Sequence, residues 1–418
     1  MNNWKKQFAI LWSGQFVSNL TSFMVSFAVI IWLTLQTKSA TVLVYATIAA
    51  LLPQTILWLF SWVIVDRFDR KSLMIISDIF IAVCSLVLGY YFLKWGISIA
   101  YVYIVLALRS IAESVHIPAM QASVPLIAPA EEINKVAWIG QMVWAAAGII
   151  APALGGFLLT FMEIWHVMFI DVLWAIIACI SLIFVKIPNP PSKHIKTHIR
   201  QDMKEGFDVL VHNRALNIVF VLFVITMFFI MPLGALFPLV VVEQFWWAEK
   251  QIWITQMMWG VGAILGWLLT WLKFAKNNIK IMSIAQIGMG IVFAICGILT
   301  HNYLIAFIWL TFIGGVLFIL YYSLFSAVLQ KIIPSEKLGR VFAILGTIAN
   351  LPSLIWLIVT WYISDSIWSH NIFLISGLVL FIVGIIASQL PMLKKLGHKI
   401  MNISTTGENN NPVQSIDG

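Results

Sequence analysis

Long, uninterrupted apolar runs are the feature that most restricts what this 418-residue chain can fold into. A helix needs about 20 mainly apolar residues to cross the hydrocarbon core of a bilayer, which is about 30 Å thick. Apolar residues make up 61% of the chain and charged residues only 10%, whereas soluble domains are about 25% charged. These runs also exceed the alternating segments of about 10 residues that form membrane β-barrels. The sequence therefore predicts an all-α polytopic membrane protein.

Polar clusters divide the chain into twelve candidate transmembrane helices, in two groups of six. Residues 1–187 form an N-terminal six-helix bundle and residues 215–396 a C-terminal one. The cytoplasmic loop 188–214 between them opens with three prolines that end the sixth helix and is predicted to contain a short amphipathic helix. Residues 397–418 are polar and are predicted to form a disordered cytoplasmic tail. The predicted spans are 8–35, 40–65, 73–93, 97–125, 135–162, 166–187, 215–242, 252–274, 280–300, 303–331, 340–364 and 370–392.

The distribution of basic residues predicts the orientation of these spans. If the N-terminus is cytoplasmic, only Lys38, Lys94 and Lys250 of the 25 Lys and Arg residues fall in outer loops, and Arg109 lies inside a span. The positive-inside rule then places both termini in the cytoplasm, in a protein of the cell membrane. The net charge of +8 is accordingly interpreted as loop charge rather than a nucleic-acid site. The three cysteines have no metal-binding spacing, so neither a metal nor a cofactor is predicted.

The segment Asp66-Arg67-Phe68-Asp69-Arg70-Lys71, between helices 2 and 3, resembles the signature loop of the major facilitator superfamily. Two six-helix halves around a long cytoplasmic loop also resemble that fold. Four further segments resemble the macrolide-efflux branch, although siderophore exporters share much of this pattern. They are residues 12–15, 108–111, 116–119 and 338–342.

The resemblance implies that the signature loop is a conformational latch. Helix 11 begins at the cytoplasmic face, where unpaired amides and the helix dipole attract an anion. Asp66 is placed to dock there, close to Arg340, when the two halves close on that side. The alternative is a simple basic turn in which Asp69 caps helix 3. The predicted latch residues are Asp66, Arg67, Asp69, Arg70, Lys71 and Arg340.

Helix 5 contains a run of small residues around a proline that resembles the antiporter motif of exporting facilitators. Ala147 and Ala151 replace its first glycines, so the match is partial. The alternative is a plain packing helix. The residues of this motif are Gly148, Pro152, Gly155 and Gly156.

Ionisable residues inside the spans are candidates for proton coupling, because a charge at mid-bilayer costs several kcal/mol. Arg109, Glu113 and His116 share one face of helix 4 through spacings of four and three. Burial disfavours a charged Glu113 and the nearby guanidinium favours it, so Glu113 is the leading candidate. A permanent Glu113–Arg109 ion pair is the alternative. Asp78 and Asp171 are further candidates, for which structural hydrogen bonding is the alternative.

Polar residues on helices 1, 4 and 10 are candidates for a substrate cavity. In the fold that the chain resembles, helices 1, 4, 7 and 10 line a central cavity. Helix 1 carries a polar stripe with steps of four, three and four, for which polar contact between helices is the alternative. The cavity candidates are Gln15, Asn19, Ser22, Ser26, His116, Tyr321 and Tyr322.

Tryptophan is unusually frequent, with 20 residues against 9 Tyr and 24 Gly. Several tryptophans lie mid-helix where this family usually has glycine, and Trp62 occupies the opening glycine of the signature loop. We hypothesise that UGA codons meaning glycine were translated as tryptophan; genuine substitution is the rival. The strongest cases are Trp62, Trp174, Trp267 and Trp356.

These features predict a secondary-active transporter that exports amphipathic small molecules, of macrolide or multidrug type, as protons enter. Its partners are the substrate, protons and the lipid bilayer, with no nucleic acid, and it is expected to act as a monomer. A siderophore exporter or an importer of the same fold is one alternative. A non-transporting receptor or scaffold is another. A membrane enzyme is not expected, since the sequence has no clustered catalytic residues at the membrane surface.

Overall fold

The computed structural model describes most of the chain as helices. The described residues are 3–95, 98–127, 147–148, 150–187, 214–245, 249–271, 278–333, 335–364 and 369–397, and none of them forms a strand. The all-helical class is therefore confirmed. The loop helix predicted within 188–214 and the tail 397–418 lie almost entirely outside these ranges, as does the first part of the predicted fifth span.

Six helices belong to the N-terminal half. They are α1 (Asn3–Thr37), α2 (Ala40–Arg67), α3 (Arg70–Trp95), α4 (Ile99–Ile127), α5 (Ile150–Leu159) and α6 (Ile164–Ile183). Among the described residues, six more long helices follow: α7 (Arg214–Phe245), α8 (Glu249–Trp271), α9 (Asn278–Ile298), α10 (Leu304–Ile332), α11 (Ser335–Ser364) and α12 (Ser369–Gln389). A short helix covers residues 391–397.

Ten of the described helices are long and apolar enough to cross a membrane. The other two, α5 and α11, contain shorter apolar stretches, Ile150–Leu159 and Thr347–Val359. The helices follow the predicted order. The main differences at the ends are that α1 begins at Asn3 and α11 at Ser335. Each start lies five residues before the predicted one, because polar residues there continue the helix beyond its apolar part.

The chain divides into two compact units. The first comprises Met1–Thr197 with Ala248–Trp253, and the second His198–Trp247 with Ile254–Gly418. The two six-helix halves predicted from the sequence differ from these units in their boundaries, and the predicted boundaries stay a prediction.

Helices of the N-terminal unit pack through an apolar core and through small residues. Met24 and Ala28 of α1 are buried together with Leu88 of α3 and Val167 of α6. A Cβ atom at Gly155 would lie 2.7 Å from the carbonyl oxygen of Met24. Only glycine therefore lets α5 lie this close to α1, as is common where membrane helices meet.

Pro53 lies inside α2 without ending it. A proline removes one backbone hydrogen bond and displaces its neighbours. The amide nitrogen of the next residue, Gln54, donates to the hydroxyl of Ser110 on α4 at 3.0 Å. A side chain from a neighbouring helix thus satisfies a backbone group next to the proline, as is required in a bilayer.

The C-terminal unit packs in a similar way. A Cβ atom at Gly377 of α12 would collide with the backbone of Ala294 on α9. The rings of Phe223 on α7 and Phe325 on α10 stack with centroids 3.8 Å apart. Close contact at small residues and stacked rings therefore hold α7, α9, α10 and α12 together.

Candidate functional site

Three ionisable side chains of α4 lie buried in the N-terminal unit. Arg109 is 1% exposed, Glu113 8% and His116 2%. Their spacings of four and three place them on one face of the helix, as predicted. Uncompensated charges at such burial would cost several kcal/mol, so the groups opposite this face determine what it does.

Arg109 forms an ion pair with Asp171 of α6, with Nη1 and Oδ2 2.7 Å apart. Ser85 of α3 donates to the same Asp171 oxygen at 2.7 Å, and Ser22 of α1 donates to the other at 3.0 Å. Arg109 also donates to Ser85 and, from Nη2, to the carbonyl oxygen of Ser22 at 3.2 Å. This ion pair therefore joins α1, α3, α4 and α6 in one polar cluster.

His116 lies at ion-pair distance from a second carboxyl group, that of Asp78 on α3. Its Nε2 lies 3.3 Å from Oδ1 of Asp78, although the two atoms do not have the alignment of a hydrogen bond. Gln15 donates to Oδ2 of Asp78 at 3.1 Å, and Ser18 donates to Oδ1 at 3.3 Å. Asp78 is 3% exposed and Asp171 is wholly buried, so each of the two carboxylates is paired with a base of α4.

Glu113 lies between the two bases along α4, and its Oε1 atom is buried without a hydrogen-bond partner. The alternative of a permanent ion pair between Arg109 and Glu113 does not match the structure, because the guanidinium binds Asp171 on another helix. Spacing along one helix brings Glu113 near Arg109, but the approach of α6 decides which carboxylate the guanidinium binds. Glu113 is thus a buried acid in which one carboxyl oxygen has no hydrogen-bond partner.

The polar stripe of α1 divides between these clusters. Gln15 and Ser22 bind the two carboxylates, which is the polar contact between helices named above as the alternative to a cavity role. Asn19 donates to the carbonyl oxygen of Gln15 at 2.7 Å and contacts the sulfur of Met120 at 3.7 Å. Ser26 is partly buried and takes part in neither cluster.

Two serines of this site, Ser18 and Ser85, were missed from the sequence. Ser18 is three residues after Gln15, and Ser85 is seven residues after Asp78. Both spacings place the serine on the same helical face as that earlier residue. The spacing is consistent with a role in the site, but serines are common where membrane helices pack, so the spacing alone does not predict that role.

The two tyrosines of α10 differ in their surroundings within the C-terminal unit. Tyr321 is wholly buried, and its hydroxyl donates to Oγ1 of Thr226 at 3.2 Å. Gln286 donates to the same oxygen at 2.8 Å. Tyr322 is 43% exposed and is the more accessible of the two predicted cavity residues.

The loop between α2 and α3 is tied to its own unit. Asp69 accepts hydrogen bonds from the amide and the hydroxyl of Ser72, at 2.8 and 2.6 Å, so it caps α3, as the alternative interpretation of the loop expected. Arg70 donates to the carbonyl oxygen of Ala122 at 2.6 Å, and Lys71 to those of Ile183 and Val185 at 3.1 and 3.0 Å. These two cations lie at the C-terminal ends of α4 and α6, where the helix dipole favours them.

The proposed docking partners of the latch are only partly described. Arg67 is exposed at the end of α2. The side chains of Asp66 and Arg340 lie outside the described part of the structure, so the latch stays a prediction. In the helix 5 motif, Gly155 and Gly156 are buried and Pro152 partly so, whereas a Cβ atom at Gly148 would meet nothing within 4 Å.

An open pocket of about 450 Å³ lies between the ends of α1, α3, α5 and α6 in the N-terminal unit. Glu163 is the one charged residue among its lining side chains, and it accepts a hydrogen bond from the indole of Trp165 at 2.6 Å. The aromatic lining residues are Trp32, Phe92, Phe161 and Trp165. Among the described residues, no group of three or more His, Cys, Asp or Glu side chains could hold a metal ion.

A bundle of membrane-spanning helices with a buried charge cluster is typical of a membrane transporter. A family model described as transmembrane secretion effector matches residues 4–410 of the chain. The chain belongs to this family, which lies in the major facilitator superfamily, and within that superfamily to the macrolide-efflux branch. The predicted fold and family are thereby confirmed, and the protein is a transporter rather than an enzyme.

Two macrolide efflux proteins are among the relatives. The chain is 34% identical to macrolide efflux protein A of Streptococcus pyogenes over 401 residues, which covers 95% of this chain and 99% of that protein. It is 33% identical to macrolide efflux protein A of Enterococcus faecalis over 292 residues, which covers 69% of this chain and 90% of that protein.

Solved structures show the same fold. The inward-open xylose transporter XylE of E. coli matches with a TM-score of 0.68 at 13% identity, over 92% of this chain and 96% of that one. The nucleoside transporter NupG, solved as a point mutant, matches with a TM-score of 0.62 at 13% identity, over 94% of this chain and 100% of that one. The family model and the relatives, together with this fold, show a multi-pass membrane transporter with a small-molecule substrate.

Proposed function

We propose that this transporter exports amphipathic small molecules, of macrolide or multidrug type, across the cell membrane by proton-coupled alternating access. The observation that carries the proposal is Glu113, a carboxyl group buried among two ion pairs with one oxygen unpartnered. A buried carboxyl group is neutral when it holds a proton, and its burial costs free energy when it is ionised. Protonation of Glu113 would therefore favour one access state, and release of the proton would favour the other.

The choice of substrate class rests on two further observations. Relatives from Streptococcus pyogenes and Enterococcus faecalis that are 34% and 33% identical to the chain over the matched residues are named macrolide efflux proteins. The pocket of the N-terminal unit combines aromatic rings with the single carboxylate Glu163, a lining that suits an apolar molecule with a cationic amine. We further propose that both termini are cytoplasmic and that the protein acts as a monomer.

The proposal is tested in proteoliposomes with an imposed pH gradient. Purified protein should accumulate a radiolabelled macrolide against its gradient when the proton gradient is directed oppositely, and a protonophore should abolish this accumulation. Glu113→Gln should lose proton-driven accumulation while exchange of labelled for unlabelled macrolide continues. The matched control is Glu243→Gln, which neutralises a carboxylate of the C-terminal unit far along the chain from this cluster.

Two results would overturn the proposal. Accumulation by the Glu113→Gln variant at the wild-type level, in well-folded protein, would remove Glu113 as the coupling group. Failure of wild-type protein to respond to a pH gradient, across a panel of macrolides and hydrophobic amines, would remove proton-driven export of this substrate class.

A further inference from the structure

Arg109 is a permanent counter-ion for Asp171. The guanidinium donates to Asp171, to Ser85 and to the carbonyl oxygens of Ser22 and Ile81. Arginine is not deprotonated in proteins, and its single positive charge balances the carboxylate beside it. The carboxylate of Asp171 therefore has a cationic partner at every pH.

Asp78 has no such permanent counter-ion. Gln15 and Ser18 donate to its oxygens, but both side chains are neutral. Within the described part of the chain the one base at ion-pair distance is His116, and an imidazole is positive only when it is protonated. Because Asp78 is 3% exposed, the charge balance of this site depends on a proton that can leave.

The surroundings of His116 contain few other ionisable groups. Asp78 faces it from α3, and Glu113 lies three residues earlier on α4 itself. The thiol of Cys179 on α6 lies near Asp78, and α1 contributes only the neutral Gln15 and Ser18. The charge near His116 is therefore set by two carboxyl groups, one on each side.

We propose that the Asp78–His116 pair is a second proton-binding site, so that the N-terminal unit binds two exchangeable protons, one on His116 and one on Glu113. This inference rests on the proposed function, in which Glu113 is the coupling acid. With both protons bound the buried cluster is neutral. With both released to water it carries two negative charges, on Asp78 and Glu113, and a cationic substrate compensates one of them.

The geometry of the Asp78–His116 pair is consistent with release of the imidazole proton. His116 Nε2 lies within ion-pair distance of Asp78 but lacks the alignment of a hydrogen bond. Gln15 and Ser18 continue to donate to the carboxylate when the imidazole proton leaves, so Asp78 keeps two partners in both states. The polar residues of α1 thus lower the cost of the deprotonated form.

The first experiment measures the protonation of His116 directly and does not depend on transport activity. Protein labelled with ¹⁵N-histidine is titrated in nanodiscs from about pH 5 to pH 9, the range over which histidines change charge. The signal of His116 is identified by its absence in Asp78→Asn/His116→Gln, a double variant that removes both members of the pair together and so leaves no unpaired charge. We expect this signal to change from imidazolium to neutral imidazole within the range. A His116 signal that stays in one form throughout overturns the proposal.

The second experiment counts protons. The ratio of protons to substrate is obtained in proteoliposomes from the membrane potential at which net macrolide flux stops. We expect two protons per macrolide for the wild type and one for Asp78→Asn/His116→Gln. His166→Gln is the matched control, since His166 is exposed and stacks on Trp165, and it should keep the wild-type ratio. An unchanged ratio in the double variant overturns the proposal.

The two experiments separate this inference from the proposed function. If wild-type protein shows no proton-driven flux, the proposed function fails, and the histidine titration still decides whether the second site binds a proton. If flux is proton-driven but the double variant keeps the full ratio, only the second site fails. Should the double variant not fold, the His116 signal is assigned by replacing the other histidines with glutamine one at a time.

Discussion

Asp171→Asn tests the more completely buried of the two ion pairs described above. Arg109 is 1% exposed and Asp171 wholly buried, with their charged atoms 2.7 Å apart. Asparagine keeps the size of the side chain and one carbonyl oxygen, so Ser22 or Ser85 can still donate to it. The negative charge is lost, and Arg109 is left buried without a counter-ion.

Breaking a buried ion pair by removing one partner costs about 3–5 kcal/mol. For a unit of about 200 residues, each kcal/mol lowers the midpoint of thermal unfolding by roughly 2–4 °C. We therefore expect Asp171→Asn to unfold roughly 6–20 °C below the wild type. Fluorescence-detected size-exclusion chromatography after heating, in one mild detergent, measures this shift.

Two controls define what the shift means. Glu113→Gln alters a carboxyl group whose Oε1 atom has no partner, so it should cost about 1 kcal/mol or less. Arg109→Met combined with Asp171→Asn removes both charges and should recover most of the loss, because a pair replaced as a whole is often neutral for stability. If Asp171→Asn and Glu113→Gln unfold at the same temperature, the argument that this pair holds four helices together is wrong.

Three further predictions follow from other parts of the chain. Gly155→Leu should abolish folded protein on size-exclusion chromatography, because the leucine side chain would collide with the backbone of α1. Gly148→Leu lies at an open position and should be tolerated, so equal yields of the two variants would contradict the packing argument. Asp66→Asn should impair transport at normal membrane insertion, since the latch needs its charge; full transport at equal expression would remove that role. The gene should read UGA at the codons for Trp62, Trp267 and Trp356, and UGG at all three would refute the hypothesis that they stand for glycine.

The family resemblance and the local sequence pattern together predicted much of the candidate site. The loop from Asp66 to Lys71 and the buried face of α4 were both found from residue type and position. Helical periodicity places Arg109, Glu113 and His116 on one face wherever α4 packs. The capping role of Asp69 is local as well, because it contacts Ser72 three residues later.

The partners across helices could not be found in the same way. Arg70 and Lys71 bind backbone carbonyls at the ends of α4 and α6, and nothing in the sequence of the loop specifies those oxygens. Ser18 and Ser85 enter the site only because α1 and α3 present them to carboxylates on other helices. Tyr321, predicted to line a cavity, instead lies buried against Thr226.

The sequence by itself determined that the chain is a bundle of apolar helices, because only helices satisfy their own backbone in a bilayer and twelve long apolar runs are present. Through periodicity, it also determined which side chains share a helical face. Only the tertiary structure decided that Arg109 binds Asp171 and that His116 binds Asp78. That choice depends on how the helices of the cluster pack along one another, through contacts such as Gly14 of α1 against Ser181 of α6. Such contacts join residues far apart in the chain, and a pattern with a period of 3.6 residues carries no information about them.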